Sequence, residues 1–285
     1  MTAPQELKGV MVALITPFSE GQRNIDRQAL DAHIKRLLDA GVHGLVPGGS
    51  TGEFAALSTE ERKQLLEQTV ASAGGRVPVV AGIGDLSTSK AVELAKHAAG
   101  TGAAALMVVP PFYDAVSIDE LRDMLREIHT ESGLPIIAGL SDVGVKYLKD
   151  TSGNGPALTE MLFSDAFAAK MTCFNGWDTL TFYGLAAGAK GSVWGATNVI
   201  PELSMQLWEA LAVRGDLAEG RKLWRKIFPV CKVLESYNYA AAVKTGMELR
   251  GWTAGGTRKP FALLQDKGRA ELAAALKAAG IDALA

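Results

Sequence analysis

Short apolar runs rich in Val, Ile and Leu alternate along this chain with longer stretches whose apolar residues recur at helical spacing. The first pattern is that of parallel strands buried on both faces, and the second that of the amphipathic helices covering them. The spacing predicts strands over residues 9–15, 44–46, 77–81, 104–109, 134–138, 145–148, 166–174 and 191–193, each bounded by Gly, Pro or Asn. Between them, helical stretches cover 26–39, 59–73, 87–99 and 117–131, the last three opening with Ser or Thr as an N-cap. Ser117-Ile118-Asp119-Glu120 has the capping-box spacing, in which serine and glutamate satisfy each other's orphan amides. After Pro201 the strand signal stops, and 202–214, 217–237, 240–249 and 269–279 read as helices.

Repeated strand-then-helix units in a chain of 285 residues favour a closed (β/α)8, or TIM, barrel with a small C-terminal helical domain. The expected division is residues 1–215 for the barrel and 216–285 for the helical domain. No Gly-x-Gly-x-x-Gly follows the first strand, which counts against a dinucleotide fold. One connection is too short. Parallel neighbours need a crossover of roughly 10 to 12 residues, yet only Gly139-Leu140-Ser141-Asp142-Val143-Gly144 separates the fifth and sixth strands.

Composition narrows the function classes. A net charge of -2 with interspersed signs leaves no basic track for nucleic acid. No run of apolar residues reaches the length of a membrane span, and residues 1–9 lack the apolar core of a signal peptide, so the expected compartment is the cytoplasm. Cys173 and Cys231 are too few for a disulfide framework or a zinc knuckle. His33, His43, His97 and His129 lack metal-like spacing; three of them lie on helical stretches and read as surface residues. Neither a metal nor another cofactor is called for.

Catalytic groups of such barrels gather where strands end and loops begin. Lys149 ends the run Val145-Lys146-Tyr147-Leu148, and alternation puts it on one face with Tyr147 and Val145. A partly desolvated lysine there would offer a neutral amine to a ketone and form an iminium electron sink. The ordinary explanation is a solvated strand-end lysine, and Lys170 and Lys190 are rivals on the same logic. After the second strand, Gly48-Gly49-Ser50-Thr51-Gly52-Glu53 lets backbone amides converge on an anion, with two hydroxyls beside them; a plain tight turn is the alternative. Pro110-Pro111-Phe112-Tyr113 closes the fourth strand and projects a phenol able to pass a proton or simply to pack. Trp177 and Trp194 could each narrow a pocket or belong to the core.

These motifs together resemble the dihydrodipicolinate synthase/N-acetylneuraminate lyase family of class I, Schiff-base-forming pyruvate aldolases, over most of the chain. Gly49-Ser50-Thr51-Gly52-Glu53 is similar to the family's Gly-x-x-Gly-Glu motif, which holds the keto acid's carboxylate. Lys149-Asp150-Thr151-Ser152-Gly153 resembles the segment carrying the Schiff-base lysine. Gly188-Ala189-Lys190-Gly191-Ser192 with Asn198 resembles the stretch around the eighth strand, and Thr257-Arg258-Lys259-Pro260 the C-terminal Arg-Pro signature. The resemblance implies catalytic roles for Lys149, Thr51 and Tyr113, and substrate contacts from Gly49, Ser50, Thr51, Gly191 and Ser192. It also implies a homo-oligomer, a dimer of dimers, in which Tyr113 reaches a neighbouring subunit's proton relay at Thr51. Between Gly139 and Val143, at the connection already found too short, the sequence does not show the family's Tyr-Asn-x-Pro motif: either the barrel is interrupted there and the relay tyrosine is lost, or the sequence omits a segment that carries it.

The expected activity is that of a lyase acting on pyruvate or a 2-oxo acid through a lysine Schiff base, by aldol cleavage, aldol addition or dehydration of a 2-keto-3-deoxy sugar acid. The alternatives are 4-hydroxy-tetrahydrodipicolinate synthesis and a non-catalytic keto-acid-binding barrel. A phosphate-sugar barrel enzyme fits poorly, because Gly176-Trp177-Asp178 and Gly195-Ala196-Thr197 make a weak phosphate site.

Overall fold

The computed structural model describes residues 6–138 and 143–284. Among them, eight parallel strands form a barrel: β1 (Gly9–Ala13), β2 (Gly44–Val46), β3 (Val80–Gly82), β4 (Ala105–Met107), β5 (Ile136–Ile137), β6 (Val145–Asp150), β7 (Thr172–Asn175) and β8 (Gly191–Trp194). Hydrogen bonding runs β2-β1-β8-β7-β6-β5-β4-β3, and a parallel bridge from Leu45 to Val79 joins the two ends. Helices α1 (Arg27–Asp39), α2 (Thr59–Ala73), α3 (Thr88–Thr101) and α4 (Ile118–Ser132) follow the first four strands. After β6 come α5 (Gly155–Phe163) and α6 (Asp165–Ala168), after β7 α7 (Thr181–Ala186), and after β8 α8 (Pro201–Trp208). The chain continues through α9 (Leu217–Glu235), α10 (Tyr239–Leu249) and α11 (Asp266–Ala278).

Helix starts follow local chemistry. Ser58 caps α2 and Ser117 caps α4, each by a capping box with the glutamate three residues on, Glu61 and Glu120. For α2 the cap therefore lies one residue before the expected Thr59. Ser87 stands at the N-cap of α3, but its hydroxyl makes no capping bond to the helix and lies 2.9 Å from the Ser89 hydroxyl instead. The expected strand 166–174 is half wrong. Residues 165–168 form a helical turn because the Ser164 hydroxyl accepts the Phe167 amide at 3.2 Å, and only Thr172 onward joins the sheet.

Two apolar layers follow from strand alternation. Met11, Val46, Met107, Ile137, Tyr147, Phe174 and Val193 fill the barrel interior. Outside, Val10 and Ile15 share a cluster with Ile227 of α9, Val243 of α10 and Leu272 of α11, so the C-terminal helices pack directly on the barrel wall. The strands β5 and β6 pair in parallel with a register shift, Ile136 opposite Val145 but Ile137 opposite Tyr147. Only residues 138–144 connect them, and among the described residues no helix covers that crossover. The position of the absent Tyr-Asn-x-Pro motif falls within 139–142, outside the described residues.

His33 corrects the expectation of a surface histidine. It is 1% exposed on the inner face of α1, and its Nε2 lies 2.9 Å from Asn198 Oδ1. Burial, with the neighbouring Arg36 charge adding to it, drops its pKa to about 4 against the pull of Asn198. Asn198 in turn accepts the Ile15 amide and donates to the carbonyls of Ala13 and Gly195, locking β1 to the turn after β8.

Candidate active site

Lys149 occupies the C-terminal rim of β6, two residues beyond the inward-facing Tyr147, so its side chain belongs to the same interior face. It is half-buried. Its stem lies against Gly176, where an added Cβ would come 2.5 Å from Lys149 Cε and 2.7 Å from Cγ. Burial pulls the amine's pKa below the ordinary lysine value, and the charge of Asp178 opposes that pull. The rivals stand differently: Lys170 and Lys190 are exposed and precede β7 and β8, at the opposite rim.

The loop after β2 opens on the same rim. Gly48 has φ +72°, and its backbone packs so closely on Gly82 that a Cβ on Gly82 would strike the Gly48 carbonyl, so both positions require glycine. The next residues form a turn in which Gly49 and Ser50 carbonyls accept the amides of Gly52 and Glu53, each at 3.0 Å. Among the described residues, the amides of Ser50 and Thr51 find no acceptor within the chain. Two adjacent N–H groups left open beside glycines make a concavity of the kind that can accept an anion. Thr51 is buried beneath it, and Ser50 is exposed.

A buried ion pair fixes this loop from behind. Glu53 adopts a left-handed conformation, φ 58°, and meets Lys244 of α10 at 2.5 Å, with both side chains nearly inaccessible. Its other oxygen accepts the Arg258 amide at 3.0 Å, and the Arg258 guanidinium pairs with Glu61 and the Ala56 carbonyl. Lys244 also donates to the Gly256 carbonyl at 2.6 Å and sits 4.1 Å over the Phe18 ring. Burial lowers its pKa to about 8 in spite of Glu53.

The remaining expected site residues are distributed unevenly. Tyr113 is 84% exposed on the loop after β4, while its neighbour Phe112 packs edge-on against Phe54. Gly191 begins β8 on the barrel floor, where a Cβ would collide with the Gly9 carbonyl. The Ser192 side chain points away from the interior; its hydroxyl donates to the Asn175 carbonyl at 3.1 Å and lies 3.4 Å from Thr181 Oγ1. The inward residue of β8 nearest the mouth is Val193. Trp194 belongs to the outer core, whereas Trp177 is partly exposed at the rim beside Gly153. No group of three or more metal-ligating side chains occurs among the described residues, and no described helix is long and apolar enough to cross a membrane.

Sequence reasoning missed Asp178 and Tyr239. Asp178 is buried just past β7, and its Oδ2 accepts hydrogen bonds from the Ala196 amide at 3.1 Å and from the Tyr239 hydroxyl. The only signal was a Gly-x-Asp turn at a strand end. Tyr239 comes from α10, far along the chain.

The profile of the dihydrodipicolinate synthetase family matches residues 6–139 and 143–279, breaking at the β5–β6 connection. An uncharacterised DapA-like lyase of Halobacterium salinarum is 33% identical over 296 residues, covering 98% of this chain and 96% of the relative. The 4-hydroxy-tetrahydrodipicolinate synthase of Methanopyrus kandleri is 32% identical over 298 residues, covering 97% of each. Among solved structures, a putative dihydrodipicolinate synthetase from Pseudomonas aeruginosa superposes with a TM-score of 0.90 at 29% identity, covering 96% of this chain and all of the other. The chloride-inhibited dihydrodipicolinate synthase of Acinetobacter baumannii, complexed with pyruvate, gives 0.91 at 27% identity, covering 97% of this chain and all of the other.

Proposed function

The chain belongs to the dihydrodipicolinate synthetase family of class I Schiff-base lyases, and from that premise we propose that Lys149 is the Schiff-base lysine for pyruvate or a longer 2-oxo acid. The observation that carries this reading is the placement of a half-buried amine of lowered pKa on the rim that also presents the open amides of Ser50 and Thr51. The substrate's carboxylate would sit on those amides, with Gly49 allowing the close approach and the Ser50 and Thr51 hydroxyls beside it. Lys149 Nζ attacks C2; the C2–O bond breaks, the oxygen leaves as water, and a protonated imine remains. That imine accepts the electron pair released when C3 loses a proton or when the C3–C4 bond breaks, leaving an enamine on Lys149. The enamine adds to an aldehyde, takes a proton at C3, or expels a C4 hydroxyl as water with its bonding pair, and hydrolysis of the imine that results frees the product and the lysine.

Gly191 contributes a floor without side chain, and Ser192 acts through the wall it stiffens. Tyr113 is too exposed to serve its own chain's pocket and would act on the Thr51 of another copy in a homo-oligomer. Within the lyase class, cleavage or dehydration of a 2-keto-3-deoxy sugar acid is the favoured reaction, because residues 136–149 contain no arginine to grip a second carboxylate. The names of the relatives favour the other reading, 4-hydroxy-tetrahydrodipicolinate synthesis.

Intact-protein mass spectrometry after borohydride reduction with pyruvate tests the mechanism. A reduced pyruvyl adduct mapped to Lys149 and lost in Lys149→Ala is expected, and a folded chain that gains no mass would refute it. Consumption of 2-keto-3-deoxygluconate, with pyruvate released on cleavage or a dehydrated 2-oxo acid formed on dehydration, set against condensation of pyruvate with aspartate semialdehyde, then separates the two substrate readings.

A further inference from the structure

Two residues past Gly176, which the Lys149 stem touches, lies an acid within reach of the lysine's charge that the scheme above does not use. Asp178 is 5% exposed in the turn that begins Gly176-Trp177. The two hydrogen bonds to its Oδ2 come from two different elements, the Ala196 amide just past β8 and the phenol at the start of α10. Two glycines make the stack possible. Gly176 admits the Lys149 stem, and Gly195 admits the Tyr239 ring, which an added Cβ would strike. The lysine, the loop carrying the acid and the phenol are therefore held without slack.

The titratable groups that act on this pair are Lys149 from β6, Tyr239 from α10, and Glu235 and Cys231 from α9. Glu235 is engaged elsewhere, accepting the Thr179 amide at 3.0 Å and its hydroxyl at 2.8 Å. Lys149 is the one cation among them. Burial pushes the Asp178 carboxyl up to about 7, with Glu235 adding to the rise, while the Tyr239 hydrogen bond, the Ala196 amide and Lys149 restrain it. An acid poised there changes charge in response to what happens on the neighbouring nitrogen.

We propose that Asp178 is the counter-charge of the Lys149 iminium, and that Tyr239 is the positioning residue that keeps Asp178 ionised. The inference rests on the Schiff-base reading. When the neutral amine and the ketone condense, a C=N bond forms, the C–O bond breaks, one proton is taken up, water leaves, and a positive charge remains on nitrogen. That charge is created in a partly desolvated site, where an ionised carboxylate nearby stabilises it far more than it would in water. The phenol bonds the carboxylate more strongly than the neutral acid, so its loss raises the pH at which Asp178 ionises.

The test is a pyruvate titration of borohydride trapping at about pH 7 and about pH 9 on the full chain, in wild type, Asp178→Asn and Tyr239→Phe, with thermal melts as folding controls. At the higher pH, Asp178→Asn is expected to weaken apparent pyruvate binding about tenfold, the equivalent of one pKa unit. Tyr239→Phe is expected to match wild type there and to fall towards the asparagine variant near neutrality. The asparagine substitution also lowers the pKa of the Lys149 amine and frees more nucleophile, so a loss of adduct cannot come from the amine's protonation. Wild-type trapping by Asp178→Asn, or a defect in Tyr239→Phe that does not vary with pH, would overturn the inference. Failure of the wild-type chain itself to form an adduct would instead remove the Schiff-base reading beneath it.

Discussion

Gly176→Ala offers a sharp check on how Lys149 is aimed. The new methyl group would sit 2.5 Å from Lys149 Cε, 2.7 Å from its Cγ and 2.7 Å from Thr151 Oγ1. Ordinary contact begins near 3.4 Å, so the lysine stem must retreat by about 1 Å. The displaced atoms belong to a flexible side chain, which limits the stability cost to about 1–3 kcal/mol, the range for modest overpacking. The chemical cost is larger in proportion, because a 1 Å misplacement of a reacting group is worth about 10²-fold in rate. Rapid-quench borohydride trapping with pyruvate measures the rate of imine formation directly, and a thermal melt measures stability in the same sample. An alanine variant that traps at the wild-type rate would show that Gly176 does not set the lysine's position.

The ion pair beneath the carboxylate loop should be costly to break from one side: Glu53→Gln leaves Lys244 buried without its partner and should lose about 3–5 kcal/mol in denaturant unfolding, with weaker pyruvate trapping in the fraction that folds. His33 titrates lower in the folded chain than its ordinary 6.5, so the unfolded chain binds the proton first, and stability is lost as pH falls from 6.5 towards 4. The full window is worth about 3 kcal/mol, and His33→Gln should flatten it in melts between those pH values. Ser192→Ala removes a hydroxyl turned towards Asn175 and Thr181. It should cost about 1 kcal/mol of stability while leaving the apparent affinity for pyruvate within about twofold, and a tenfold loss of affinity would show that the hydroxyl meets substrate.

The strands were readable because both of their faces are buried, which writes a continuous apolar run into the chain. The ends were less so: β5 keeps only Ile136–Ile137 of the expected 134–138, since a β-ladder also needs a partner in register and β6 is shifted there. Residues 165–168 were misread because Ala and Phe serve a helix or a strand equally, and the deciding feature was the hydroxyl of Ser164. The helices α5 and α7 escaped notice because each is short and carries few buried positions. In the site, Lys149 and the Gly48–Glu53 loop announce themselves by breaking an apolar run with a residue type that packing does not call for. Ser192 shows the limit of such reasoning, since a one-residue difference in position along β8 decides between the barrel lumen and the wall. Asp178 and Tyr239 are joined only by the folded chain, across 61 positions, and nothing local in either segment records the partnership.

The pairing of Glu53 with Lys244 and Arg258 has a consequence for how the protein is made. The Gly48–Glu53 loop leaves the ribosome early, but the groups that hold its left-handed turn are synthesised about 200 residues later. A nascent chain that has made all eight strands would carry a loop whose buried acid still lacks its cation. The loop's final shape would therefore arrive in one late step, when α10 docks, rather than growing strand by strand, and stalled or clipped chains would lack it.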